Sequence, residues 1–421
     1  RRQRQPTLRV ACRAAAKVEI MESYELAEAA ERAGVSPHEL RDLVELGILQ
    51  PDAVGRFSEG DVRRVGVVQG TVAAGIPIDL LADWLRSGQF SLSFMDEPAY
   101  DRFTSLTSET FQQMSTRTGL PLHLLIAVRE AMGGVTPASE DRVREGERPI
   151  VTLLQFQVAH GFRPIILERN LRVFGDSMRR IAETGGDAWR SEVIEPLFAA
   201  GKSGVELAAA SSEVSEGMTE LDDAAMLAIY RAHQARVWTA NIIGASESIL
   251  AAAGLHSRLE HPPAMCFLDI TGYTRLTQER GDVAAADLAT SLARLVERTS
   301  LRHGGRPIKW LGDGVMFFFP RPGPGVIAAL EMVAGVADAG LPPAHVGLHA
   351  GSVVFQEGDY YGQTVNVASR IAEYARPGEV LVSQEVVDAA SGADVTFREI
   401  GPVELKGVGS AMRLHAASMS V

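Results

Sequence analysis

From Tyr24 to about Gly88 the apolar positions recur at helical spacing in short bursts separated by sharp turns. Leu26 to Ala30 begin one helix, Gly34-Val35-Ser36 turn the chain, and Pro37 to Leu46 make a second, with Leu40, Leu43 and Leu46 on one face. Ser36 is placed to cap that second helix, with Pro37 in its first position. Beyond residue 90 the helical period continues with few strand signals, broken by a polar loop from Gly133 to Arg148. Its last part, Leu221 to Leu255, carries Leu227, Trp238, Ile242 and Ile249 in a broken apolar stripe, suited to a long helix that packs on a partner or on the next domain. The pattern predicts an all-α N-terminal part: a helix-turn-helix-like segment over 21–90, then a helical bundle and linker helix over 91–255.

After Pro263 strands alternate with helices. Ala264 to Ile270 reads as a buried strand, and Leu288, Leu292, Leu295 and Val296 mark a helix. Pro307 to Leu311 and Val315 to Phe319 read as two strands around a tight turn. A helix through Val326, Ala329, Leu330 and Val333 follows, then a strand alternating Val346, Leu348 and Ala350, a helix from about Gln363 to Tyr374, and a strand from Glu379 to Ser383. This βαββαβ order is the ferredoxin-like plan with appended elements, so the expected class is α+β, with a ferredoxin-like domain over 262–417 behind the helical region. His256 to Pro263 reads as a short linker.

Composition narrows the setting. The 421 residues are 46% apolar and 22% charged, enough for two or three cores. Two cysteines, Cys12 and Cys266, make no disulfide framework, and no apolar run approaches the roughly 18 residues of a membrane-spanning helix. Cytoplasmic residence is the expectation. Residues 1–20 are a basic leader, expected to lack fixed structure and without the apolar core of a secretory signal. A net charge of -12 argues mildly against a protein whose main work is gripping phosphate backbones.

Two aspartates stand where a strand gives way to a turn: Asp269 in Phe267-Leu268-Asp269-Ile270-Thr271-Gly272-Tyr273-Thr274, and Asp313 in Lys309-Trp310-Leu311-Gly312-Asp313-Gly314. In a ferredoxin-like sheet the first strand lies beside the hairpin, so both carboxylates can converge. Such hard oxygen ligands suit Mg²⁺ or Mn²⁺ held together with substrate phosphates. Thr271, Gly272, Tyr273 and Thr274 lead into a helix, whose first N–H groups could hold a triphosphate. Either aspartate alone is equally a turn or helix-capping residue.

Together with Gly358-Asp359-Tyr360-Tyr361-Gly362-Gln363-Thr364-Val365-Asn366-Val367-Ala368-Ser369-Arg370, these motifs resemble the class III adenylyl and guanylyl cyclase family across about 262–417. The resemblance implies two metal ions per site on Asp269, Asp313 and the backbone carbonyl of Ile270. It also implies Asn366 on the ribose and Arg370 against charge growing on the α-phosphate. Asn366 and Arg370 are four apart on a helix, hence on one face. Adenine offers an acceptor at N1 and a donor at N6, which Lys309 and Asp359 can answer, whereas the family's guanylyl members usually carry Glu and a small polar residue there. Lys406 resembles a late lysine that contacts phosphates. The implied enzyme is a homodimeric adenylyl cyclase acting on ATP, with metal aspartates from one subunit and the base-reading and Asn-Arg pairs from the other.

The first 90 residues resemble the N-terminal half of MerR-type winged helix-turn-helix domains, in the order helix, turn, helix, wing, helix. The expectation is a regulatory module answering pH, a small molecule or lipid, with His123, His160 and His233 as titratable candidates. The rival is a DNA-binding transcriptional regulator with a cyclase-like signalling domain. Glu39, Asp42 and Glu45 on the second helix, and Asp52 and Glu59 beside Arg56, make a poor surface for a duplex.

Overall fold

The computed structural model describes residues 23–96, 106–255, 262–390 and 394–420; the basic leader and most of the 256–263 linker fall outside them. The chain divides into two units, Arg1–Val237 and Trp238–Val421. In the first, β1 (Ser23–Tyr24), α1 (Leu26–Ala33), α2 (Pro37–Glu45), β2 (Phe57–Ser58), α3 (Glu59–Ala73) and α4 (Ile78–Arg86) follow in order. Ser36 caps α2 in a reciprocal box with Glu39, and Ser58 caps α3 in the same way with Asp61. The expected wing forms no hairpin of its own. Its short strand β2 pairs back with β1, and Arg56 is drawn inward to donate to the hydroxyl and carbonyl of Ser23.

The rest of this unit contains β3 (Leu106–Thr110), α5 (Phe111–Thr118), α6 (Leu122–Ala131), β4 (Arg142–Arg144), α7 (Arg148–Ala159), α8 (Pro164–Trp189) and α9 (Glu195–Ala199). The 49-residue helix α10 (Gly204–Ala252) begins in it and runs on into the second unit. The polar loop after Gly133 hides a strand, β4, antiparallel to β3. Arg142 and Arg144 disguise it in sequence, but Val143 between them is fully buried and Arg129 pairs with the buried Glu147 beside it. Residues 24–85 and 111–171 bury two separate apolar clusters. On α10, Leu221, Trp238, Ile242 and Ile249 are exposed apolar side chains. Among the described residues no helix is long and apolar enough to cross a membrane.

After the end of α10, the second unit contains β5 (Ala264–Ile270), α11 (Tyr273–Arg280), α12 (Asp282–Arg302), β6 (Arg306–Leu311), β7 (Gly314–Phe319), α13 (Pro322–Gly335) and β8 (Ala344–Ala350). It continues with β9 (Val354–Gln356), β10 (Asp359–Tyr361), α14 (Gln363–Tyr374), β11 (Val380–Ser383), α15 (Gln384–Ala389), β12 (Val395–Val403) and β13 (Met412–Met419). The seven-stranded sheet runs β12-β13-β11-β8-β5-β7-β6. Its β8-β5-β7-β6 portion has the 4-1-3-2 order of the ferredoxin-like plan. Side chains alternate across it: Cys266, Leu268, Val315 and Phe317 pack with Leu292, Val296, Val326 and Met332 of α12 and α13. Met265 and Met316 face the other way, onto Tyr360 and Ala368.

The approach of α14 to the sheet requires Gly347. A Cβ there would lie 2.1 Å from the backbone nitrogen of Ala372 and 2.7 Å from its Cα, and backbone cannot swing aside. Gly347→Ala is expected to destabilise this unit by about 3 kcal/mol, the upper end for overpacking. A lowered denaturant midpoint would register this, and an unchanged one would mean that α14 stands off the sheet.

Candidate active site

The antiparallel register brings the two aspartates together. Asp269, next to last in β5, lies opposite Gly314 of β7 on one side and His345 of β8 on the other. Asp313 occupies the two-residue turn between β6 and β7, directly before Gly314. Gly312 takes the left-handed φ of 68° that the turn needs. A Cβ on Gly314 would lie 3.3 Å from Oδ1 of Asp269 and 3.1 Å from the Leu268 carbonyl, so the bare glycine leaves room for the carboxylate.

The pair is electrostatically uncomfortable. Burial first, and then the neighbouring Asp313, push the Asp269 pKa above its ordinary value. His345 and the N–H of Ile270 act in the opposite direction. His345 is a residue that sequence reasoning missed: its Nε2 is 3.6 Å from Oδ2 of Asp269 and its Nδ1 is 3.3 Å from Oγ1 of Thr271. It is the second residue of β8, 76 positions after Asp269, so only the fold brings it there. Two apposed carboxylates whose charge is disfavoured are a donor set that a hard divalent cation would relieve. Among the described residues no group of three or more His, Cys, Asp and Glu side chains could hold a metal ion, so further ligands here would be backbone, water or phosphate oxygens.

The Thr271–Thr274 segment is used differently along its length. The N–H of Thr271 is bonded to the Pro343 carbonyl at 2.9 Å, which removes it as a phosphate donor. Gly272 precedes α11, and Tyr273 and Thr274 are its first residues; the Tyr273 hydroxyl donates to the Ala285 carbonyl.

Lys309 and Asp359 meet as an ion pair at 2.5 Å, from residues fifty apart in sequence. A β-bulge decides this. Pro307 lies opposite Phe317 while Lys309 lies opposite Met316, so Ile308 is an extra residue and the alternation restarts. Lys309 thereby shares a face with Arg306, Met316 and Phe318, towards β10, instead of facing α12 and α13. A proline beside a bulge on an edge strand is the expected place for one.

On α14, Val367, Ala368, Ile371 and Ala372 are buried while Asn366 is exposed. Arg370 pairs with Glu373 on the same helix. The two candidate groups thus share the outward face of α14. Lys406 is exposed in the loop between β12 and β13, at the opposite edge of the sheet from the β6–β7 turn.

Residues 343–416 match the adenylate and guanylate cyclase catalytic domain family. The match takes in Asp359, Asn366, Arg370 and Lys406, whereas Asp269, Lys309 and Asp313 precede it. The chain is 27% identical over 315 residues to a pH-sensitive adenylate cyclase of Mycobacterium tuberculosis, covering 72% of this chain and 76% of that protein. It is also 27% identical over 212 residues to an adenylate cyclase of Streptomyces coelicolor, covering 50% of this chain and 52% of that one. An uncharacterized protein of Mycobacterium bovis is 30% identical over 254 residues, 58% of this chain and 63% of that protein. A crystal structure of the adenylyl cyclase CyaB from P. aeruginosa aligns over 38% of this chain and 94% of its own, at 22% identity and a TM-score of 0.35.

Proposed function

We propose, from the premise that the C-terminal part of this chain belongs to the adenylate and guanylate cyclase catalytic family, that the protein is an adenylyl cyclase making 3′,5′-cyclic AMP and pyrophosphate from ATP. The observation that carries the reading is the apposition of Asp269 and Asp313 at the ends of adjoining strands, in a domain that also pairs Lys309 with Asp359. Asp269, the Ile270 carbonyl and Asp313 would hold two Mg²⁺ or Mn²⁺ ions. When bound, such ions neutralise phosphate charge and lower the pKa of the attacking ribose hydroxyl.

The remaining work falls to side chains. Lys309 donates to adenine N1 and Asp359 accepts from its 6-amino group; their mutual pair opens cheaply, because partly exposed ion pairs are worth about 1 kcal/mol or less. Asn366 orients the ribose so that its 3′-oxygen faces the α-phosphorus. Arg370 stabilises charge on the α-phosphoryl oxygens as that bond forms and pyrophosphate departs. Gly272, Tyr273 and Thr274 lie where the triphosphate would sit, and Lys406 is assigned to phosphates. With Asn366 and Arg370 on the outward face of α14, a second copy would supply them to the carboxylates, and a homodimer would hold two such sites.

The test is cyclic AMP formation from ATP by the purified chain, with GTP as competitor. Product should require Mg²⁺ or Mn²⁺ and vanish with chelator. A chain that turns over neither nucleotide with either metal would defeat the reading.

We assign the helical region a regulatory role, supported by the similarity to a relative described as pH-sensitive. His123 is 4.0 Å from Glu168, His160 bonds the Phe156 carbonyl, and His233 is exposed on α10. The DNA-binding alternative is weakened by where its cations go. Arg56 is tied to Ser23, Arg64 to Asp61 and Asp96, and Arg63 is buried against the Met95 carbonyl. Such cations are poorly placed to neutralise phosphates.

A further inference from the structure

The hairpin that carries Asp359 shares no backbone ladder with the main sheet. Strands β9 and β10 pair only with each other, as a separate two-stranded sheet. Isolated two-stranded hairpins are marginal in water, so side chains must hold this one in place. Tyr360, the residue after Asp359, is buried against Met265, Met316 and Ala368. Its ring stacks on Phe318 of β7 with centroids 4.5 Å apart and planes 7° from parallel.

Arg306 closes the arrangement from the edge strand. It donates to the Tyr360 hydroxyl at 2.5 Å. Its guanidinium also lies 5.4 Å from the Phe318 ring, 5.7 Å from Tyr360 and 5.8 Å from Phe355 of β9. One cation therefore contacts β7, β9 and β10 from β6. The link to the base-reading pair is direct: the Tyr360 N–H donates to Oδ1 of Asp359 at 2.8 Å, and Oδ2 of the same carboxylate takes Lys309.

We propose that Arg306 is a specificity-determining positioning residue: by clamping Tyr360 through its hydroxyl and the aromatic cage, it fixes the β9–β10 hairpin so that Asp359 and Lys309 meet the purine edge together. Arg306 touches neither the reacting atoms nor the base. The inference rests on the adenine-reading assignment above. Without the clamp Asp359 has freedom to retreat from Lys309, and misplacement by an ångström loses discrimination while leaving the phosphate chemistry in place.

The experiment compares Arg306→Met, Arg306→Lys and Tyr360→Phe with the wild-type full chain by two readouts: ATP and GTP kinetics, and hydrogen exchange of the amides of residues 354–361. Arg306→Met should raise KM for ATP and lower the ATP-to-GTP discrimination in kcat/KM, each by about tenfold, with kcat within about threefold. Exchange in the hairpin should accelerate. Tyr360→Phe, which keeps the stack and loses the hydroxyl, should shift both readouts less, and Arg306→Lys should restore part of the discrimination. Unchanged exchange in Arg306→Met would overturn the clamp, whatever the activity. Faster exchange with unchanged discrimination would overturn its role in specificity. A wild-type chain without cyclase activity would instead remove the adenine-reading assignment, and the specificity role with it.

Discussion

Asp269→Asn is expected to reduce cyclic AMP formation by about 10³-fold or more, a loss of about 4 kcal/mol of transition-state stabilisation. On the proposed reading the carboxylate is an anionic ligand at the point where metal and triphosphate would meet, and an amide cannot neutralise a cation. Stability should move the other way. Burial and Asp313 raise the Asp269 pKa, so the folded state disfavours the ionised form, and near neutral pH that charge opposes folding in the absence of metal. In metal-free buffer Asp269→Asn should therefore melt at or above the wild-type temperature. Adding Mn²⁺ should raise the wild-type midpoint, because the ion binds only the folded site, and should raise that of the variant much less. Lost activity together with a lowered metal-free midpoint would make Asp269 a structural residue instead.

How much of this was legible in the sequence follows from how local each signal is. Strand ends at Asp269 and Asp313 and the inward face of α14 can be read from alternation and helical period, which depend on neighbours within one or two turns. The Ser36 cap is likewise a four-residue signal. The bulge at Ile308 is not, because it exists only as a mismatch between two strands, yet it decides which face Lys309 occupies. His345 beside Asp269 and Arg306 on Tyr360 join residues 76 and 54 positions apart, and nothing in either segment announces the other. The β3–β4 pairing escaped for a related reason: Arg142 and Arg144 flank a single buried valine, too short a pattern to register as alternation. The place of Thr271–Thr274 before a helix suggests a phosphate loop, but the N–H of its first residue goes to Pro343, a partner that the sequence cannot reveal.

The second large effect concerns how the site is divided between chains. Asn366 and Arg370 lie on the outward face of α14, while Asp269 and Asp313 sit at the strand ends of the same chain, and on the proposed division of roles one chain would not assemble both halves. Arg370→Ala alone should lower activity by about 10²- to 10³-fold, comparable to removing a preorganised donor from a site that stabilises developing charge. Two inactive variants should nonetheless restore each other. In a homodimer with two equivalent sites, each pairing the aspartates of one chain with the arginine of the other, a chain carrying Asp269→Asn and a chain carrying Arg370→Ala form one site with both defects and one with neither. Random exchange makes about half the dimers mixed, each with one of two sites intact, so activity should rise to about a quarter of wild type. The mixture must be denatured and refolded together, or co-expressed, so that subunits exchange. Recovery far above the sum of the separate variants would require shared sites. A mixture no more active than the average of its components would instead put Asp269 and Arg370 in one chain's site.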